Sequence, residues 1–166
     1  MAILTGCQPT EHNSVRADVF LTQGEHVGQN IGEVVFRDTE QGLKVSVDLK
    51  NLPSGEHGFH IHEFPSCETG VDDKGNPVAA QKAGGHFDPE HTGKHLGPHG
   101  NGHKGDMPAL NVAPNGEVKT TFYLQNLTAS EIKNRSLIIH AGGDNYADEP
   151  LPLGGGGARI ACGVIQ

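Results

Sequence analysis

The chain has 166 residues, which fits one domain of ordinary size, and its 12 Lys+Arg against 20 Asp+Glu give a formal net charge of −8. This charge argues against nucleic-acid binding, because phosphate recognition needs a segregated basic patch and the sequence has none. The 24 Gly and 10 Pro argue against long helices, and no apolar run approaches the roughly 20 residues of a membrane span. The count that needs explaining is histidine: 11 residues in a chain with no Trp and 2 Tyr.

Short segments of alternating or β-branched residues predict a series of strands with turns between them. The predicted strands are residues 15–21, 34–36, 43–49, 110–112, 118–124, 137–140 and 159–165. Pro-Asn-Gly at 114–116 predicts that the fourth and fifth of these form a β-hairpin. A capping-box pattern at 128–131 predicts one short helix near Glu131. The pattern is typical of an all-β sandwich or barrel.

Two stretches, 68–108 and 142–157, carry no strand pattern and are rich in Gly, Pro and Asp. Loops of this length inside a compact domain are usually functional or disordered, so their polar residues are the candidates for function. At the N-terminus, residues 1–13 are predicted to be a flexible polar tail. We therefore expect one domain that spans 14–166.

Eight of the 11 histidines lie between His57 and His103. In a strand, the two-residue period places His60 and His62 on one face and Phe59 and Ile61 on the other. Two imidazoles on one face of a rigid strand make half of a metal site. Alone, the His-x-His pattern is a weak signal.

The long loop and a later strand supply further metal-ligating side chains: His86, His95, His103, Asp106 and His140. Imidazole nitrogens suit both zinc and copper, and mixed imidazole and carboxylate ligation favours zinc. His91 and His99 lie in the same loop. From spacing alone, either of them could replace His95 or His103.

Six segments of the chain occur in the order and with the residues of a known family. They are Gly-Phe-His-Ile-His-Glu at 58–63, Gly-His-Phe-Asp-Pro at 85–89, Lys-His-Leu-Gly-Pro at 94–98, Gly-His-Lys-Gly-Asp at 102–106, Ile-His-Ala-Gly-Gly-Asp-Asn at 139–145 and Gly-Ala-Arg-Ile-Ala-Cys-Gly-Val-Ile at 157–165. Together they resemble copper/zinc superoxide dismutase, in its bacterial form. The resemblance implies an all-β, Greek-key β-sandwich or flattened β-barrel with two long functional loops.

The resemblance also implies how the site residues divide between two metals. The implied copper ligands are His60, His62, His86 and His140, and the implied zinc ligands are His86, His95, His103 and Asp106. His86 would bridge the two ions as an imidazolate and supply a proton to the reaction. Asp144 would hydrogen-bond one histidine on each side, and Arg159 would stand beside the copper as the anion-binding catalytic residue.

The remaining histidines and the three cysteines complete these expectations. His91 and His99 are expected to be exposed, because the implied zinc site already has four ligands, and His12, His26 and His57 are predicted to be surface residues. An odd number of cysteines suggests one pair and one separate thiol. The family match implies that Cys67 and Cys162 form the disulfide, which requires an oxidising compartment.

The implied activity is the dismutation of superoxide to oxygen and hydrogen peroxide, with one copper and one zinc per subunit. The alternative is a copper- or zinc-binding module of the same fold that delivers metal without turnover, although such a module needs no anion-binding arginine. A structural β-sandwich with an adventitious histidine-rich loop explains the separate positions of the histidines poorly. Superoxide is the expected partner, and the chain is expected to be a monomer or a homodimer.

The segment Leu4-Thr5-Gly6-Cys7 resembles the end of a bacterial lipoprotein signal, in which the cysteine receives the lipid. Only Met1-Ala2-Ile3 precede it, so we expect the basic and apolar parts of such a signal to be missing from this sequence. The interpretation makes Cys7 a candidate lipid anchor. It places the protein outside the cytoplasm, in the periplasm or cell envelope.

Overall fold

The computed structural model describes residues 12–166, in which one antiparallel sheet of seven strands is the main element. Two pairs of short strands accompany it. The strands are β1 (Ser14–Leu21), β2 (Asn30–Thr39), β3 (Gly42–Leu49), β4 (Gly55–His57), β5 (Phe59–His62), β6 (Gly70–Val71), β7 (Pro77–Val78), β8 (Leu110–Val112), β9 (Val118–Leu124), β10 (Ser136–His140) and β11 (Arg159–Val164). Cys7 and most of the predicted tail lie outside the described residues.

The strands predicted from alternation form as expected. In β1, Val15, Ala17 and Val19 are buried while Arg16 and Asp18 are exposed, because successive side chains point to opposite faces. Strand β3 repeats this pattern. Strand β2 is longer than the predicted 34–36 and pairs with β1 and β3 along most of its length.

The predicted hairpin of 110–124 is wrong. A turn does lie between the two strands, where the Ala113 N–H donates to the Glu117 carbonyl oxygen at 2.9 Å. However, β8 pairs with β4 and β9 pairs with β3, so the strands on either side of the turn enter different sheets. Turn residues specify that the chain reverses, and distant strands decide which edge each segment joins.

The strand order in the large sheet is β5-β10-β11-β1-β2-β3-β9. Strands β9 and β10 are consecutive in the chain, yet β9 lies at one end of this order and β10 is second from the other end. A long return connection of this kind is typical of a Greek key. The short helix α1 (Ala129–Ile132) lies in this connection, and its capping box between Thr128 and Glu131 is formed as predicted. No helix among residues 12–166 has the length and apolar character needed to cross a membrane.

The main apolar core fills the space inside the curled sheet and under the β4–β8 pair. Phe36 and Phe59 of the large sheet are fully buried in it together with Leu110 of β8. This two-layer arrangement confirms the predicted all-β sandwich or flattened barrel. The core leaves the opposite face of β5 and β10 free to carry polar side chains.

Two long connections lie over that face. The first, 63–109, holds β6, β7 and a 3₁₀ turn at Gln81–Ala83, and it is tied to β5 by the isolated bridges His60↔Asp106 and His62↔His86. A disulfide between Cys67 and Cys162 fastens it to β11 and confirms the predicted pairing. The second connection, 141–158, contains the 3₁₀ turn Pro152–Gly155.

Candidate metal centre

Four buried histidines converge beside strand β5. His60 and His62 lie on the strand, His140 ends β10 opposite Arg159 of β11, and His86 is contributed by the first long loop. Their ligand nitrogens all lie within 4.8 Å of one another. Phe59 and Ile61, the alternate residues of β5, pack into the apolar core, so the strand period divides the two faces as the sequence predicts.

In each of these rings, the nitrogen that faces the others lacks a hydrogen-bond partner although it is buried. These nitrogens are Nδ1 of His60 and Nε2 of His62, His86 and His140. The opposite nitrogens of His62 and His140 donate to the carbonyl oxygens of Gly84 and Gly157, at 2.9 and 3.0 Å. Such hydrogen bonds fix the tautomer and leave a lone pair on the inward nitrogen. Since buried polar atoms are almost always paired, four inward lone pairs fit a bound metal ion.

Burial also sets the protonation of three of these histidines. It lowers the pKa of His62 well below its usual value, and with the charges of neighbouring histidines it lowers that of His140 to about 3. For His86, burial lowers the pKa to about 4 although Asp106 opposes the shift. At neutral pH the imidazoles of His62, His86 and His140 are therefore uncharged, the form that binds a metal. An all-imidazole set suits copper.

A second group of potential ligands adjoins the first and shares His86 with it. Its ligand atoms from His60, His86, His95 and Asp106 lie within 4.8 Å of one another. His103, which the sequence predicts here in place of His60, borders this group with Nδ1 3.4 Å from Asp106 Oδ1. The rings of His86 and His103 are 5.2 Å apart between centroids.

His103 and His60 differ in the hydrogen bonds that they make beside this second group. His60 already uses Nε2 to donate to Asp144, and its Nδ1 faces the four-histidine group. The inward atoms His95 Nδ1, His103 Nδ1 and Asp106 Oδ2 are buried and lack a hydrogen-bond partner. Three imidazoles and one carboxylate are a donor set that suits four-coordinate zinc.

Asp144 connects the two groups. Its Oδ2 accepts from His60 Nε2 at 2.6 Å, and its Oδ1 accepts from His95 Nε2 at 2.7 Å. Burial alone would raise the pKa of the carboxyl, but the two imidazole hydrogen bonds lower it below its usual range. For His95 burial would lower the pKa, and two carboxylates raise it to about 9: that of Asp106, whose Oδ2 lies 2.9 Å from Nδ1, and that of Asp144, which accepts from Nε2. Gly154 is required beside this bridge, since a Cβ there would collide with Asp144 Oδ1.

Arg159 lies next to the four-histidine group, because it and His62 donate to the same carbonyl oxygen, that of Gly84. Its guanidinium donates to the carbonyl oxygens of Ala80 and Gly84, at 2.7 and 2.8 Å, and Gly84 also accepts from His62. No carboxylate within residues 12–166 forms an ion pair with it. Burial lowers the pKa of Arg159 from its usual value, yet a guanidinium keeps its charge at neutral pH.

One predicted surface histidine is buried. His57 lies on β4 with Nδ1 2.7 Å from the His140 carbonyl oxygen and Nε2 2.8 Å from that of Pro53. The prediction is wrong because β4 lies against the end of β10, a tertiary contact that leaves no local sequence signal. His12, His26, His91 and His99 are exposed as predicted.

Three residues that support the site were missed by the sequence analysis. Glu56 accepts from the backbone N–H of Asp144, Asp148 accepts from that of His95, and the N–H of Tyr146 donates to Asp144 Oδ1. All three are exposed. Glu56 and Asp148 hold the backbone of the loops, and Tyr146 holds the carboxylate of Asp144. Their spacing in the chain matches no metal or capping motif, so only the folded structure identifies them.

The fold and the site together define a β-sandwich metalloprotein with two adjoining metal sites. Comparison with known proteins agrees: residues 30–165 match the family model described as copper/zinc superoxide dismutase (SODC). A relative from Salmonella typhimurium, "Superoxide dismutase [Cu-Zn] 2", is 50% identical over 169 residues, which cover 100% of this chain and 96% of the relative. The chain belongs to the copper/zinc superoxide dismutase family.

Two solved structures are similar over nearly the whole chain. The Cu/Zn superoxide dismutase from Brucella abortus has a TM-score of 0.88 and 47% identity, and covers 93% of this chain and 100% of its own. The monomeric copper, zinc superoxide dismutase from Salmonella enterica has a TM-score of 0.80 and 50% identity with the same coverage. The protein is thus a superoxide-dismutating enzyme that uses copper and zinc, and the metal-delivery alternative is not supported.

Proposed function

We propose that His60, His62, His86 and His140 bind the copper, and that His86, His95, His103 and Asp106 bind the zinc. The observation that supports this division is the set of buried, unpaired ligand atoms that face two adjoining points. His86 takes part in both groups because its Nε2 faces the copper-side histidines and its Nδ1 lies 3.0 Å from Asp106 Oδ1.

Dismutation converts two superoxide anions and two protons into oxygen and hydrogen peroxide. When bound, copper supplies the one-electron redox chemistry, and zinc holds the shared histidine in place. Arg159 attracts the anion and orients it with a planar pair of N–H donors, and the carbonyls of Ala80 and Gly84 hold that fork next to His62. His86 holds a proton at Nε2 between the two half-reactions and gives it to the reduced product.

The role of Asp144 follows from its two hydrogen bonds. By accepting from Nε2 of both His60 and His95, it fixes Nδ1 as the ligand atom of each ring. One buried carboxylate thereby orients a copper-side and a zinc-side ligand together. Loss of Asp144 itself weakens binding at both sites.

The experiment is metal reconstitution with matched variants. Metal-free protein is given copper, zinc or both, and metal content and superoxide consumption are measured together. Full activity is expected only with both metals, and His60→Ala is expected to lose copper and activity while keeping zinc. His99→Ala, which changes an exposed histidine of the same loop, is the control. If His60→Ala keeps its copper and its activity, the copper assignment is wrong.

The same proposal extends to location and assembly. The domain at 14–166 acts outside the cytoplasm, in the periplasm or cell envelope, because the Cys67–Cys162 disulfide requires an oxidising compartment. It acts as a monomer, as the similar enzyme from Salmonella enterica is described, and Cys7 is a candidate lipid anchor. Sedimentation of the purified protein and cell fractionation with a Cys7→Ser variant test these points.

A further inference from the structure

Tyr146 touches three segments that surround the zinc-side group. Its backbone N–H donates to Asp144 Oδ1 at 2.8 Å, and its hydroxyl accepts from the backbone N–H of Ala109 at 3.0 Å. Its ring lies against Gly97. The side chain is 39% exposed, so core burial does not account for these contacts.

The contact with Gly97 is close enough to require glycine. A Cβ on Gly97 would lie 2.6 Å from Cβ and 2.7 Å from Cγ of Tyr146, and the backbone φ there is +73°. The ring therefore rests directly on the main chain two residues after His95. The hydroxyl contact reaches the main chain three residues after Asp106.

The backbone of Tyr146 is also held in an uncommon conformation. Its φ is +59°, in the left-handed region that non-glycine residues seldom adopt. This conformation aims the Tyr146 N–H at Asp144 Oδ1, the same oxygen that accepts from His95 Nε2. The ring contact with Gly97 holds the residue in this conformation, and the hydroxyl adds a hydrogen bond from the Ala109 N–H.

We infer that Tyr146 is a positioning residue for zinc binding: its ring fixes the loop that aims Asp144 at His95. The inference rests on the proposed assignment of Asp144 and His95. Tyr146 itself touches no metal ligand atom and acts through Asp144. Such supporting residues typically change metal affinity by 10- to 100-fold when they are removed.

The test measures zinc affinity by competition with a chromophoric chelator, using the full chain. Tyr146→Ala is expected to bind zinc about tenfold more weakly. Tyr146→Phe keeps the ring on Gly97 and loses only the acceptor for an accessible N–H, so it is expected to stay within about threefold of the wild type. The matched control is Tyr123→Ala on β9, since Tyr123 is the other tyrosine and is 37% exposed.

Two further variants separate positioning from general destabilisation and from failure of the assignment. Val45→Ala removes buried core volume on β3, a strand that carries none of the candidate ligands, and is expected to lower the unfolding temperature without changing zinc affinity. Asp144→Asn is expected to lose zinc affinity at least as much as Tyr146→Ala. If Asp144→Asn weakens zinc and Tyr146→Ala does not, or if Val45→Ala weakens it equally, the inference is overturned. If Asp144→Asn leaves zinc affinity unchanged, the proposed role of Asp144 fails instead.

Discussion

The Cys67–Cys162 disulfide should contribute both to stability and to the position of Arg159. The two cysteines are 95 residues apart, and a cross-link of that span removes chain entropy worth about 4–5 kcal/mol from the unfolded state. The same cross-link anchors the loop whose carbonyls at Ala80 and Gly84 hold the guanidinium. Removing it should therefore have two separate effects.

The variant is Cys67→Ala/Cys162→Ala. Alanine is preferred to serine because Cys162 is buried, and a buried hydroxyl without a partner costs stability of its own. We expect the metal-free variant to lose about 4 kcal/mol of unfolding free energy. For a chain of this size the loss lowers the unfolding temperature by roughly 8–16 °C.

Urea unfolding in the presence of a chelator measures the first effect, since bound metal would add its own stabilisation. Superoxide consumption by the fully metallated variant at low ionic strength measures the second, and we expect it to fall. A stability loss below about 1 kcal/mol would refute the chain-entropy argument. Unchanged activity in a variant with full copper content would refute the link between the loop and Arg159.

Three further predictions follow from the site. Arg159→Gln should lower the rate of superoxide consumption about tenfold and make that rate less dependent on salt. Stopped-flow measurements at several ionic strengths check this, and an unchanged salt dependence would contradict it. Gly154→Ala should release zinc, whereas Gly157→Ala, which shares a positive φ but meets open space, should keep it in a metal analysis. Without metals, the free energy of unfolding should peak near pH 6.5. Below that pH it falls because folded His86, with a pKa of about 4, excludes a proton that the unfolded chain binds. Above that pH it falls because folded His95, with a pKa of about 9, retains a proton that the unfolded chain releases. Urea unfolding at pH 5, 6.5 and 8.5 checks this, and a steady trend across the range would be the contrary result.

Local patterns predicted the elements that a strand or cap determines by itself. The alternation in 15–21 and 43–49 reflects one buried face, and Thr128 with Glu131 closes a cap within four residues. The pairing partner of a strand, by contrast, is not determined by the strand's own sequence. The turn at 113–117 is correct, yet β8 and β9 join different sheets because their partners lie 53–57 and 69–81 residues away in the chain, respectively.

The same distinction applies to the site. The grouping of His60, His62, His86 and His140 is visible in the sequence because each of these residues lies within a recognisable motif. The burial of His57 depends on where β10 ends, and the contacts of Tyr146 and Asp148 depend on how two loops meet. None of these contacts involves residues that share a motif, so no reading of one segment could predict them.

Because β5 pairs with β10 in one register, the amount of copper bound per chain depends on whether the sheet is correctly aligned. His60 lies opposite Ile138 and His62 opposite Ser136, and these pairs set which side chains of β5 face the loops. A chain paired one residue out of register would present Phe59 and Ile61 there instead. Such a molecule would keep its β-sheet content but lack the four-histidine group. The copper bound per chain in a purified sample would then count the fraction of molecules with a correctly aligned sheet, which circular dichroism cannot do.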